Sequence, residues 1–335
     1  MEILPKHVST EGKELLRISA LLVEFPTAHR HHLTAVDGVD LDVRSGEALG
    51  LIGESGCGKS VTGKAAMGLI DPPARVGGAV FWQGLNVTGY SERQWRDIRG
   101  TGIAMLFQDS AASLNPALRV RDQLLGILKL HRRLPKNEAE REAQRILEAV
   151  WLPDHKRILG LYAHECSGGM AQRIALALAL ACRPKLLIAD EPTSALDATI
   201  AVQIIELLQA VRDEFSLSIL FISHDLGAVG RMCDRIAVMY LGRIVEIGPA
   251  AEVFTQPLHP YTSMLIAASS WRLEAPPGRT PDLSEIPNAR GQIPASGCRF
   301  HSRCPRAQLR CRSESPVLEP YGNAAHKSAC WYPQT

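Results

Sequence analysis

Gly53-Glu54-Ser55-Gly56-Cys57-Gly58-Lys59-Ser60 is the stretch on which the reading of this chain turns. It follows the short apolar run Ala48 to Ile52 and opens a segment of helical character, the setting in which a glycine-rich turn cradles phosphate. Glycines let the backbone curl until several N–H groups point inward, and the start of a helix adds partial positive charge. Lys59 is then placed to reach a β and a γ phosphate, and Ser60 offers its hydroxyl to Mg²⁺. Gly53, Ser55, Gly56, Cys57, Gly58 and Val61 complete the expected phosphate cradle. A glycine-rich turn with no ligand is the plain alternative, and the full eight-residue pattern between strand and helix outweighs it.

Two further apolar runs, Leu186 to Ala189 and Ser218 to Ser223, have the length and composition of buried strands. With helical stretches between them they imply a parallel α/β sheet. The first ends in Asp190-Glu191. Asp190 would face Mg²⁺ at the carboxyl end of its strand, where open α/β sheets bind ligands. Glu191, one residue further, is placed to polarise a water for in-line attack, a general-base role. Alone, such an acidic pair reads as a loop start or a helix cap; the phosphate loop upstream changes that weighting.

Cys166-Ser167-Gly168-Gly169-Met170-Ala171-Gln172-Arg173 resembles the signature sequence of ABC ATPases, and Ser194-Ala195-Leu196-Asp197 resembles their D-loop. His224, after the third strand, matches the switch histidine, and Gln108 matches the Q-loop glutamine. The ordered motifs lie between residues 48 and 225, so the resemblance covers most of the chain. It implies a P-loop NTPase fold over residues 1–258: a RecA-like parallel core, an antiparallel β region and an inserted helical subdomain at about 109–166. It also implies a head-to-tail pair of ATPase subunits. Each ATP would be held by the phosphate loop of one subunit and by Ser167, Gly168 and Gly169 of the other, with Gln108 at the metal and His224 holding the attacking water. A Ser-Gly-Gly turn opening a helix is independently an anion-binding start. Two departures from the pattern are Cys166, where leucine is usual, and Ala171, where this branch commonly has arginine. Neither removes a phosphate ligand, so a competent ATPase is expected. For stacking adenine, Phe25 is the first candidate and His31 the second, with a core or loop aromatic as the alternative.

The composition is ordinary for a globular protein: 335 residues, 46% hydrophobic and 21% charged. Lys and Arg number 37 against 35 acids, which gives no general case for a nucleic-acid partner. The balance conceals an asymmetry, because residues 290–335 hold seven basic residues against two acidic ones. The longest apolar run, Ile174 to Cys182, is about half of the roughly 18 residues needed to span a bilayer. No basic segment followed by an apolar stretch opens the chain, so no secretory signal is expected and the protein reads as cytosolic. Asn137 to Leu152 reads as an amphipathic helix, with Asn137 as its N-cap and Glu140 completing a capping box.

Beyond residue 258 prolines interrupt the chain and apolar periodicity weakens, so 259–335 reads as an extension rather than a second core. Leu258-His259-Pro260-Tyr261-Thr262 resembles the His-Pro-Tyr element of the oligopeptide and dipeptide permease branch. Cys298, Cys304, Cys311 and Cys330 follow in the spacing C-x5-C-x6-C-x18-C, wider than the usual pairing at zinc. Unligated thiols, zinc and an iron-sulfur cluster all remain open on the residues; the family resemblance points to a 4Fe-4S cluster held by these four. Arg299, Arg303, Arg306, Arg310, Arg312 and Lys327 are expected to offset its charge. Cys57, Cys182 and Cys233 read as small packing residues.

The resemblance thus implies an ATP-hydrolysing, energy-coupling subunit on the cytoplasmic face of the inner membrane. Its partners would be a related, separate ATPase chain, two transmembrane permeases and an external solute-binding protein. Dipeptides and oligopeptides lead as cargo, with nickel complexes, glutathione-like solutes and antimicrobial peptides as alternatives. An ABC ATPase acting on nucleic acid is a reading of a different class; one cassette without a long heptad pattern or a basic stripe outside the tail disfavours it.

Overall fold

The computed structural model describes residues 12–27, 32–194, 196–269 and 296–334. The first third contains β1 (Glu14–Pro26), β2 (His32–Arg44), β3 (Ala48–Ile52), α1 (Lys59–Ala66), β4 (Arg75–Trp82), β5 (Leu85–Asn86), α2 (Glu92–Ile98) and β6 (Ile103–Leu106). A helical stretch follows, made of α3 (Ser110–Ser113), α4 (Val120–Arg132), α5 (Lys136–Ala149), α6 (His155–Gly160) and a 3-10 turn at Ala163–Glu165. The core resumes with α7 (Gly168–Leu180), β7 (Leu186–Asp190), α8 (Ala198–Phe215), β8 (Ser218–Ser223), α9 (Leu226–Met232), β9 (Arg235–Tyr240) and β10 (Arg243–Pro249). Last come α10 (Ala250–Thr255), α11 (Pro260–Ala268), α12 (Leu309–Ser313), β11 (Glu319–Tyr321) and β12 (Asn323–Ser328).

Among the described residues the strands form two sheets, an antiparallel one ordered β2-β1-β4-β5 and an eight-stranded one ordered β11-β12-β10-β9-β3-β8-β7-β6. From β9 through β3, β8 and β7 to β6 the larger sheet is parallel. Its central strands are buried on both faces, and successive residues serve two separate cores. Leu49 and Leu51 of β3, Ile188 of β7 and Ile222 of β8 face the antiparallel sheet. Ala48, Ile52, Leu187 and Phe221 face the helices, with Ile174, Leu208 and Val229. The sheet is therefore the partition between the two cores, and its strands read as continuous apolar runs because neither face meets water.

The helix expected from Asn137 begins instead at Lys136, with Pro135 in the cap position and no side-chain cap. The ring holds Pro135 at φ −63°, so the chain turns helical just ahead of Asn137. Glu140, freed from the expected capping box, accepts a hydrogen bond from Arg121 of α4. The apolar face is as expected: Ala139, Ala143, Ile146 and Leu147 are buried.

Among the described residues, those of the C-terminal region build no core of their own. β12 adds antiparallel to β10, pairing Ser328 with Glu246 and Lys327 with Ile247. Tyr261, Ile266 and Phe300 are buried in the same apolar cluster as the helices of the cassette. A fully buried carboxylate, Glu246, is the polar tie: it accepts from the backbone N–H groups of Leu258 and His259 at 2.8 Å and meets His326 Nε2 at 2.8 Å. A buried charge with several donors is stable where an unpaired one would not be.

Candidate active site

The phosphate loop joins β3 to α1 in a backbone path that only glycine permits at two points. Gly53 has φ +154° and a Cβ there would lie 2.2 Å from the carbonyl of Met239; Gly58, the N-cap of α1, has φ +112° and a Cβ there would lie 2.4 Å from the carbonyl of Ala35. Lys59 is buried, its Nζ donating to the carbonyls of Gly53 at 2.9 Å and Glu54 at 3.0 Å. Ser60 donates through Oγ to Asp190 Oδ1 at 2.7 Å, which joins the start of α1 to the end of β7. Burial pushes the Asp190 carboxyl up from its ordinary value, with the Glu191 charge acting in the same direction against the Ser60 hydrogen bond.

Glu191 departs from the strand with φ +47°, a left-handed conformation that is costly for a residue with a side chain. Neighbouring bonds hold it there: its N–H donates to the Ile222 carbonyl at 2.9 Å, and its own carbonyl accepts from Ser194 N at 3.2 Å and Ser194 Oγ at 3.1 Å. In that position one carboxylate oxygen accepts from Gln108 Nε2 at 3.3 Å and the other lies 3.4 Å from His224 Nδ1. Three loops separated in sequence thus converge on one carboxylate. Gln172, in the signature, donates to the Pro192 carbonyl at 2.8 Å and ties α7 to the same turn.

Part of this constellation bounds an open pocket of about 410 Å³, which Asp190 and His224 do not line. Ser55, Gly56, Cys57, Gly58, Lys59, Ser60 and Val61 of the phosphate loop and the start of α1 line it, together with Gln108, Glu191 and Phe25. Leu33, Thr34, Ala35, Leu241 and Gly242 line it as well, and no motif in the sequence singles these out. Phe25 therefore shares one pocket with the phosphate loop. His31 lies outside the described residues, as does Ala195 of the D-loop. The signature residues are elsewhere. Ser167 caps α7 by accepting from Met170 N at 3.3 Å, and neither it nor Gly168 nor Gly169 lines this pocket. Asp197 caps α8, accepting from Thr199 N at 3.1 Å and Ile200 N at 3.0 Å. The two departures from the signature have local explanations: Ala171 is buried in the core beneath α7, and the thiol of Cys166 donates to the Tyr162 carbonyl at 3.4 Å.

A second, nearly closed pocket of about 10 Å³ is lined by Cys298, Cys304, Cys311 and Cys330 together with His259, Phe300 and Arg306. All eight cysteines of the chain are free thiols. Burial and the neighbouring thiols push Cys298 and Cys330 up, Cys330 to about 11. Among the described residues no group of three or more His, Cys, Asp or Glu is arranged to hold a metal ion. Of the six cations expected to offset charge there, Arg306 lines the thiol pocket, while three pair with carboxylates. Arg299 pairs with Asp37, Arg303 with Glu54 at 2.8 Å, and Arg310 with Glu314 at 2.8 Å while covering the Trp331 ring. Carboxylates in hydrogen-bonding range outcompete buried neutral thiols for a guanidinium.

The model for the family described as "ABC transporter" matches residues 36–194, and that described as "Oligopeptide/dipeptide transporter, C-terminal region" matches 245–311. The "Oligopeptide transport ATP-binding protein OppD" of Salmonella typhimurium is 43% identical over 326 residues, covering 95% of this chain and 94% of that protein. This chain belongs to the ATP-binding subunits of ABC transporters, in the oligopeptide/dipeptide branch. Its chemistry is transport-coupled ATP hydrolysis. The "Probable peptide ABC transporter ATP-binding protein y4tR" of Sinorhizobium fredii is 44% identical over 301 residues, 89% of each chain. Among solved structures, the ATPase cassette agrees in fold with the "ATP-binding cassette MJ0796 bound to ADP and Pi", at TM-score 0.63 and 24% identity over 70% of this chain and 99% of that one. "cbiO1 from clostridium perfringens" matches at TM-score 0.61 and 26% identity, covering 72% of this chain and 91% of that one.

Proposed function

We propose that this ATPase powers peptide import from the cytoplasmic face of a membrane, as one of two nucleotide-binding subunits seated on a pair of permeases. The observation that carries the mechanism is the convergence of Gln108 and His224 on Glu191, which with Gln108 lines the same pocket as Lys59 and Ser60. Lys59 and the N–H groups at the start of α1 bind the β and γ phosphates. Ser60 and Asp190 present two adjacent oxygens, a donor set that suits Mg²⁺, whose charge when bound neutralises that of the phosphates. Glu191 accepts a proton from the attacking water, while Gln108 and His224 orient its carboxylate and close the site toward the γ phosphate. Phe25 carries the adenine ring.

The signature residues support a paired arrangement. Ser167, Gly168 and Gly169 begin a 13-residue helix away from this chain's own pocket, which leaves that helix start available to nucleotide held by a second ATPase chain. The relatives named for peptide transport support the cargo class and, with it, two permeases and an external solute-binding protein. No helix among the described residues is long and apolar enough to cross a membrane, so attachment would run through the permeases. Purification in mild detergent should recover two permeases and a related ATPase. Recovery of nucleic acid in a salt-sensitive complex would refute the transport reading.

We also read the four C-terminal cysteines as the holders of a 4Fe-4S cluster. What supports this reading is that Cys298, Cys304, Cys311 and Cys330, all free thiols, line one pocket, the number of thiolates such a cluster takes. Bound there, the group would supply a covalent tie among segments that share little core of their own. Anaerobic purification should yield iron and sulfide in stoichiometric amounts. Zinc without iron would refute the assignment.

A further inference from the structure

Glu54, the second residue of the phosphate loop, is held by the C-terminal segment. Arg303 donates to both of its carboxylate oxygens, Nη1 to Oε2 at 3.0 Å and Nη2 to Oε1 at 2.8 Å. The backbone N–H of Glu54 donates to the Tyr261 hydroxyl at 2.9 Å. Behind these contacts the rings of Tyr240, Tyr261 and Phe300 pack together with centroids 4.5 to 5.5 Å apart, and Tyr240 Oη accepts a further bond from Arg303 at 3.2 Å. Arg303 immediately precedes Cys304. Arg299, which follows Cys298, donates to the carbonyl of Leu241 on another wall of the nucleotide pocket.

We propose that Arg303, together with the Tyr261 hydroxyl on the Glu54 N–H, positions the phosphate loop, and that the cysteine-bearing segment thereby sets the affinity of the protein for ATP. The electrostatic argument is direct. Glu54 places a carboxylate in the loop that must receive a polyanion, and a two-pronged guanidinium pair removes that repulsion while fixing the loop. The Tyr261 hydroxyl occupies the Glu54 N–H, so the remaining N–H groups of the loop are the ones presented to phosphate. Because the coupling is between two folded segments, it is reciprocal: whatever loosens the cysteine segment weakens ATP binding, and ATP steadies the segment. The inference rests on the phosphate loop being the nucleotide site.

The test is a double-mutant cycle in the full-length chain, with Mg²⁺-dependent binding of a fluorescent ATP analogue as the readout. Arg303→Met is expected to weaken binding between about fivefold and about a hundredfold, the range of ordinary coupling energies. Arg303→Lys, which restores the charge without the two-pronged geometry, should recover part of the loss. In a Glu54→Gln background, Arg303→Met should have little further effect, since the repulsive carboxylate is gone. In the assembled transporter KM for ATP should rise while kcat stays near that of the parent, because Arg303 touches no reacting atom. Tyr261→Phe keeps the ring packing and removes only the hydroxyl, so it covers the case in which Arg303→Met fails to fold; it too should weaken binding. Parent-like affinity in Arg303→Met or in Tyr261→Phe would overturn the proposal, as would an equal loss from Arg303→Met with and without Glu54→Gln. Failure of the unsubstituted chain to bind the analogue would instead refute the nucleotide assignment itself.

Discussion

Glu191 shows what a single residue contributes here. Its left-handed φ of +47° is held by bonds to Ile222 and Ser194, and the turn sets its carboxylate between Gln108 and His224. Glu191→Gln preserves the shape and the hydrogen bond from Gln108 but cannot accept a proton. ATP turnover in the assembled transporter should fall by about 10²- to 10⁴-fold with ATP binding retained. Parent-like turnover would sink the general-base role. Gly58 gives a prediction of the opposite kind. Gly58→Ala sets a Cβ 2.4 Å from a backbone carbonyl at φ +112°, so the loop must shift and nucleotide binding should be lost, measurable by equilibrium titration. At this scale the sequence was informative, because phosphate chemistry demands particular residue types at fixed spacing. The pocket residues that no motif marks, Thr34 and Leu241 among them, are there through backbone position, which leaves no signature in residue type.

At the scale of elements, caps and strand ends decide where functional groups stand. Asp197 caps an 18-residue helix with two backbone bonds, and Asp197→Ala should lower stability by about 1 kcal/mol in a denaturant titration. His259 caps α11 by accepting from Tyr261 N at 3.1 Å, and burial pushes its imidazole down to about 4 from an ordinary 6.5, with Glu246 opposing. The unfolded chain therefore binds a proton between pH 6.5 and 4 that the folded chain does not. Stability present above pH 6.5 is lost as pH falls through that window, by roughly 3 kcal/mol in all. His259→Asn keeps a capping side chain without the titration, so its stability profile should be flatter by that amount between these two values; superimposable profiles would refute the assignment. The three buried strands were legible as apolar runs because both faces of each are covered. The start of α5 departs from its sequence signal because Pro135, two positions earlier, outranks an asparagine that resembles a cap.

For the whole molecule, the decisive arrangement is that the C-terminal segment completes the cassette. Ending the chain at residue 258 would leave β10 without its pairing to β12 and strip the fully buried Glu246 of the His259 N–H and His326 bonds. Such a truncation should be markedly less soluble and unfold at lower temperature than the full chain, as read by soluble yield and thermal melting. A truncated chain as soluble and stable as the parent would show the extension to be dispensable.

From its residues alone the chain determines a phosphate-binding turn between strand and helix, an acidic pair on a second strand, and four thiols in one region, since each depends on local spacing or residue chemistry. Tertiary structure decided which groups meet. It set Gln108 and His224 on Glu191, kept Ser167 out of its own chain's pocket, and turned Arg299 and Arg303 from the thiols toward Asp37 and Glu54. A guanidinium pairs with whichever carboxylate folding brings within reach, and the Arg303–Glu54 pair spans 249 residues. The charge excess of the tail, visible in the sequence, therefore has part of its explanation at the nucleotide site.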